Sequence, residues 1–171
     1  MMKMLFSKFG SISLLCLVFF SANGLATHHK SERLDIVETA MSNPALTTLV
    51  TAIKAAGLVD TLKGEGPFTV FAPTNQAFVK LSAGTLGDLL KVENKHKLVA
   101  ILNYHVLSGE MAAIEIAKLD KAITIQNRVI IITTADGLKI NNANVTQRDI
   151  KTKNGIIHLI DTVMLPQVQI P

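Results

Sequence analysis

The chain has 171 residues, with 17 basic and 13 acidic side chains, a formal net charge of +4, and 5% aromatic residues with no tryptophan. So small a charge, with few rings to stack on bases, excludes a nucleic-acid partner, which needs clustered cations to neutralise several phosphates. A single cysteine excludes a disulfide framework.

In chain order, the first expected element is an export signal. Lys3 and Lys8 precede the apolar run ISLLCLVFF at 12–20, and Gly24-Leu25-Ala26 puts small residues where a signal peptidase reads. The run is far shorter than the roughly 20 residues of a bilayer-spanning helix, so residues 1–26 read as a cleaved signal peptide, leaving no integral membrane segment. Cys16 follows Leu15 rather than a small residue, which argues against lipoprotein processing there. Cleavage removes the only cysteine together with Lys3 and Lys8, leaving 15 basic against 13 acidic residues. The remainder is enough for one domain that buries about 68–70% of its unfolded surface. Residues 27–33 read as a flexible N-terminal segment; His28-His29 there could bind metal weakly, but a solvated terminus is the ordinary reading.

Leu34, Val37 and Met41 then recur at helical spacing, with Asp35 at the end that favours acids. A second helix carries Leu46, Leu49, Val50 and Ile53 on one face and closes at Gly57, the residue suited to a left-handed cap. Leu58, Val59 and Leu62 add a further turn. FTVF at 68–71 alternates, so Phe68 and Val70 face one way and Thr69 and Phe71 the other. Pro73 ends that strand, Thr74 or Asn75 caps a helix from about Gln76, and Phe78 turns toward the core. LGDLLKVENKHKLVAILNYHV predicts one more helix, with Leu98, Ile101, Leu102 and His105 along a face. Beyond it, AITIQNRVIIITT, GLKINNANVT and GIIHLIDTVML are rich in Ile, Val and Thr and read as a β-meander with tight turns. Helices gathered before strands point to an α+β fold with an antiparallel sheet.

TVFAPTNQAF at 69–78 resembles the first homology box of the fasciclin domain. YHV at 104–106 resembles its central Tyr-His pair, and NGIIHLIDTVMLP at 154–166 its second box; NPALTTLVTAIKAAGL from Asn43 is similar to its opening. The resemblance implies a fasciclin-like domain over 34–167, followed by a tail at 168–171, in which two β-sheets meet in a wedge with several helices packed around it. It also implies a secreted or surface role in adhesion. Phe71, Pro73, Thr74, Asn75, Phe78, Tyr104, His105, Asn154, Gly155 and His158 are expected to be structural on this reading.

The chemical candidates are sparse. His105 and His158 suggest a metal site, but no cysteine or near-spaced carboxylate completes a ligand set; the resemblance instead implies that His105 holds sheet and helix together through a ring-nitrogen hydrogen bond. Ser31, Ser42, Ser82 and Ser108 lie outside any nucleophile elbow, and there is no phosphate-cradling glycine loop, dinucleotide fingerprint or HExxH helix. No enzyme, cofactor or metal is expected. In QRDIKTKNG at 147–155, Asn154-Gly155 suits a type I′ turn, and Arg148, Lys151 and Lys153 read as exposed beside Asp149. A solvated loop is the ordinary reading of such a charge run. The resemblance implies a contact role with a cell or receptor for the matching pair Asp149-Ile150, with Ile150 as a small exposed anchor. Asn144-Val145-Thr146 is a glycosylation sequon. Two functions are carried forward. One is a secreted, extracellular or periplasmic, adhesion module for a cell-surface or matrix protein or glycan. The alternative is a carrier holding a small apolar ligand or lipid in a groove between sheets and helices.

Overall fold

Asp35 accepts a hydrogen bond from the Glu38 N–H (2.8 Å), and the Glu38 carboxylate accepts from the Asp35 N–H (3.2 Å). This capping box starts α1 (Ile36–Ser42). The structure is a computed structural model that describes residues 33–166; the expected signal peptide, the His28-His29 pair, Ser31 and the 168–171 tail lie outside the described residues. A short 3-10 turn at Pro44–Leu46 leads into α2 (Thr47–Ala56), which ends at Gly57 with φ 73°, the left-handed cap that its sequence predicts. Next come α3 (Val59–Lys63), β1 (Phe68–Pro73) and α4 (Asn75–Val79), the last capped by Thr74.

The single helix expected from Leu86 to His105 is three pieces. They are α5 (Thr85–Leu89), a 3-10 turn at Val92–Asn94, and α6 (Lys95–Tyr104), with Lys91 extended between the first two. Leu86, Leu89 and Leu90 pack on the same apolar cluster as Leu98 and Leu102, and the turn brings both pieces onto it. The Asn94 amide secures the break by donating to the Asp88 carbonyl at 2.8 Å. β2 (Val106–Ser108) and α7 (Ala113–Ile116) are too short for periodicity to reveal.

The remaining strands are β3 (Lys121–Ile123), β4 (Val129–Thr133), β5 (Lys139–Ile140), β6 (Ala143–Lys151) and β7 (Gly155–Ile160). The order is β2-β1-β7-β6-β5-β4-β3. The α+β class stands, but the antiparallel expectation fails at the centre of the sheet. There β1 and β7 run parallel, from Phe68 opposite Gly155 to Pro73 opposite Ile160. Nearly every residue of both strands is buried, as strands covered on both faces must be.

One face of this central pair presents Val70, Ala72, Ile157 and Leu159 to the helices; the other presents Phe71 and Ile160 to a second cluster, with Ile130, Ile132, Ile140 and Val145. The alternation predicted for FTVF therefore feeds two cores. β6 joins the two arms of the sheet: its first two residues pair with β5 and the rest with β7. At the open end a bridge between Leu107 and Thr124, and an Ile125 N–H to Val106 carbonyl bond of 2.8 Å, tie the turn after β3 back to β2. The arms thereby enclose the second core as a wedge.

Candidate functional site

The motif residues act as cross-ties between elements. His105 is 2% exposed. Its Nδ1–H donates to the Ile101 carbonyl (2.7 Å), which fixes the tautomer, and Nε2 accepts the Met164 N–H (3.0 Å). Burial pushes its pKa down to about 4, against a smaller upward pull from the Ile101 carbonyl, so the ring is neutral. The buried Tyr104 hydroxyl donates to the Val129 carbonyl (3.1 Å) and accepts from the Asn141 amide (3.0 Å). Asn141 itself has φ 54°, a conformation Asn tolerates better than most residues, and its Oδ1 accepts the Ile131 N–H.

Asn75 caps a helix, but not its own. Its Oδ1 accepts the Thr48 N–H (3.0 Å) and the Thr47 hydroxyl at the start of α2, which has no cap of its own, and its Nδ2 donates to the Pro44 carbonyl. Asn154 is not in the left-handed region, so the predicted type I′ turn does not form. It is buried instead: Oδ1 accepts the Ile36 N–H (3.0 Å) and Nδ2 donates to the Leu62 and Gly64 carbonyls (both 2.8 Å). One amide thus ties α1, the end of α3 and the entry to β7.

The expected contact residues sit on a bulge of β6, where the pairing with β7 shifts register on both sides of Gln147. Asp149 has φ 59°. Its N–H donates to His158 Nδ1 (3.2 Å), His158 Nε2–H donates to the Met111 carbonyl (3.0 Å), and Asp149 Oδ1 accepts the N–H of Ala113 at the start of α7 (2.8 Å). The His158 ring is fully buried against Phe71, with centroids 5.8 Å apart, and burial lowers its pKa. Both nitrogens of His105 and of His158 are therefore engaged with main-chain groups. Among the described residues there is no group of three or more His, Cys, Asp or Glu side chains that could hold a metal ion.

Arg148, Asp149, Lys151 and Lys153 are exposed, as the sequence predicts, while Ile150 is half-buried and packs on the helical cluster. The exposed isoleucine beside Asp149 is Ile114 of α7, adjacent to the Ala113 that Asp149 binds and 71% exposed. Sequence reading does not find it, because α7 has no periodic signal.

Asn144 of the sequon is exposed, and its Nδ2 is engaged with Asp161 Oδ2 at 3.0 Å. Asp161 also accepts the Asn144 N–H, the Lys80 ammonium and the Thr162 hydroxyl. Partial burial would raise its pKa, but these donors hold the carboxyl well below the usual carboxylate range.

Between the helices and the sheet, where an apolar ligand was expected to lie, the cavity beside Leu49, Ile53, Val70 and Leu102 measures about 10 Å³. That is room for one water, against roughly 300 Å³ or more for a ligand pocket. A much larger groove of about 970 Å³ is open on the outside of the wedge, over Tyr104, Val129, Ile131, Asn141 and Leu165.

Comparison with known proteins agrees with this architecture. The family model described as the fasciclin domain matches residues 44–166. The protein sll1483 of a Synechocystis strain is 48% identical over 134 residues, covering 78% of this chain and 74% of the relative. The cell surface glycolipoprotein MPB83 of Mycobacterium bovis is 42% identical over 142 residues, covering 79% of this chain and 62% of the relative. A solved structure of a FAS1 domain pair from the insect cell adhesion molecule fasciclin I superposes with a TM-score of 0.70 at 21% identity, over 78% of this chain and 51% of that one. This chain spans about half the length of that pair, and the likeness is one of fold.

Proposed function

This chain belongs to the fasciclin domain family, and on that premise we propose that it is an exported binding module that contacts a cell-surface or extracellular-matrix protein or glycan and performs no catalysis. The observation that carries this reading is the family match over 44–166, together with 42% identity to a protein named for the cell surface. The proposed destination is extracellular, with the periplasm as the other compartment an export signal at 1–26 would serve; the domain proper is proposed to run from 34 to 167. The space between helices and sheet does not support carriage of an apolar ligand there, since its cavity admits only a water.

The proposed contact surface is the β6 bulge at Asp149 and Ile150. A rigid acid on a hydrogen-bonded bulge, flanked by Arg148 and Lys151, gives a partner a fixed pattern of charge. Because Asp149 also caps α7 and Ile150 is half-buried, alanine replacements would mix contact with folding. Asp149→Asn keeps the oxygen that accepts from Ala113 and removes only the charge; Ile150→Val removes one methylene. Attachment of source and host cells to surfaces coated with the protein should depend on its fold, with a heat-unfolded control inactive. The double variant should need about tenfold more coated protein for half-maximal attachment, the effect of one interfacial hot spot, while its melting curve shifts by no more than the loss of one half-buried methylene. Attachment that survives both changes would put the contact elsewhere, and none at any density would overturn the adhesive reading.

A further inference from the structure

The outward face of the β3–β4 hairpin is apolar. Cross-strand pairing puts Ile123 opposite Val129 and Lys121 opposite Ile131 on one side, with Ala122 and Ile130 on the core side. Ile123, Val129 and Ile131 are 65%, 53% and 58% exposed, and Leu165 across the adjoining groove is 46% exposed. β-branched side chains aligned on the outer face of a sheet's last arm form an apolar patch of the kind that marks an interaction surface.

The charge around the patch identifies its occupant. Between residues 118 and 142, Lys118, Lys121, Arg128 and Lys139 stand against Asp120 and Asp136, with Lys139 Nζ 3.6 Å from Asp136 Oδ2, whereas the rest of residues 33–166 carries ten basic and ten acidic side chains. The arm that bears the patch therefore carries a net charge of +2. A second copy of the chain docking through this face would bring two such arms together, which like charge opposes. We infer that this face seats on an anionic lipid bilayer, with Ile123, Val129 and Ile131 entering the interface and Lys121 and Lys139 meeting the headgroups. Apolar insertion and cationic attraction are the two contributions that peripheral membrane binding combines. This surface is separate from the β6 bulge and does not rest on the adhesive reading.

The test is sedimentation of the secreted chain with vesicles of phosphatidylcholine alone and with 30% phosphatidylglycerol, a fraction of roughly the anionic content that gives a cytoplasmic-leaflet-like potential. Three proteins are compared: the parent, a variant with Ile123→Thr and Ile131→Thr, and a variant with Lys121→Gln and Lys139→Gln. Threonine keeps the branching that suits a strand, so both variants should melt like the parent. Any membrane affinity of a retained leader is common to all three. The parent should bind the anionic vesicles, less so at high salt. The threonine variant should lose about tenfold in partition, and the glutamine variant roughly fivefold from Lys121 and less from Lys139, which is already paired with Asp136. Equal partition onto both vesicle types, no binding to either, or full binding by the folded threonine variant would each overturn the inference. So would concentration-dependent dimerisation of the parent that the threonine variant abolishes, since the face would then seat a second copy.

Discussion

His105 keeps a neutral ring in the interior, and that makes it a source of acid sensitivity. Its pKa falls from the ordinary 6.5 to about 4 on folding, so between those values the unfolded chain binds the extra proton. Its contribution is fully present above pH 6.5 and is lost as pH falls through that window, by about 3 kcal/mol in all. His158, shifted the same way by burial, adds to the loss. Urea unfolding at pH 7.5, 6, 5 and 4 should show stability level at first and then falling, and His105→Ala should be less stable at neutral pH with a shallower decline. An equally steep decline in that variant would assign the acid sensitivity to other groups. Asn154→Ala removes three buried side-chain hydrogen bonds at once and should cost about 3 kcal/mol. Asn154→Asp should do no better, because a carboxylate would face the Leu62 and Gly64 carbonyls where the amide now donates.

Among the elements, the parallel pair of β1 and β7 depends on Gly155. A Cβ there would run into the Phe68 carbonyl oxygen, and the residue has φ 157°. Gly155→Ala should therefore destabilise by about 3 kcal/mol or more, or abolish soluble folding, since neither strand backbone can move away. An alanine variant that melts like the parent would show that the pair can separate slightly at this end. Asn75 makes the matching point for helices: it supplies the cap that α2 lacks. Asn75→Ala should cost about 1–2 kcal/mol, and hydrogen exchange should quicken at the Thr48 amide rather than in α4. Faster exchange confined to α4 would restore the local capping role that its place in the sequence suggests.

At the scale of the molecule, the two apolar clusters lie on opposite faces of the same central strands, so neither should unfold alone. Tyr104, the only tyrosine in a chain without tryptophan, reports on the wedge, while far-UV circular dichroism reports largely on the helices. The two urea transitions should coincide; separate midpoints would mean that the helical layer and the wedge melt independently. Several levels of this architecture are legible in the amino-acid order. The Gly57 cap, the alternation of FTVF, the stop at Pro73 and the separation into helices and strands follow from backbone sterics and apolar period, which act over a few residues. The parallel pairing of β1 with β7, the break before α6, the half-burial of Ile150 and the use of Asn75 and Asn154 as caps for distant helices were decided only by tertiary structure. Apart from the break, which the Asn94–Asp88 bond six residues apart secures, each depends on a partner tens of residues away, as with the 118 positions between Ile36 and Asn154, and a hydrogen bond or strand register across such a gap leaves no periodic trace in the chain that makes it.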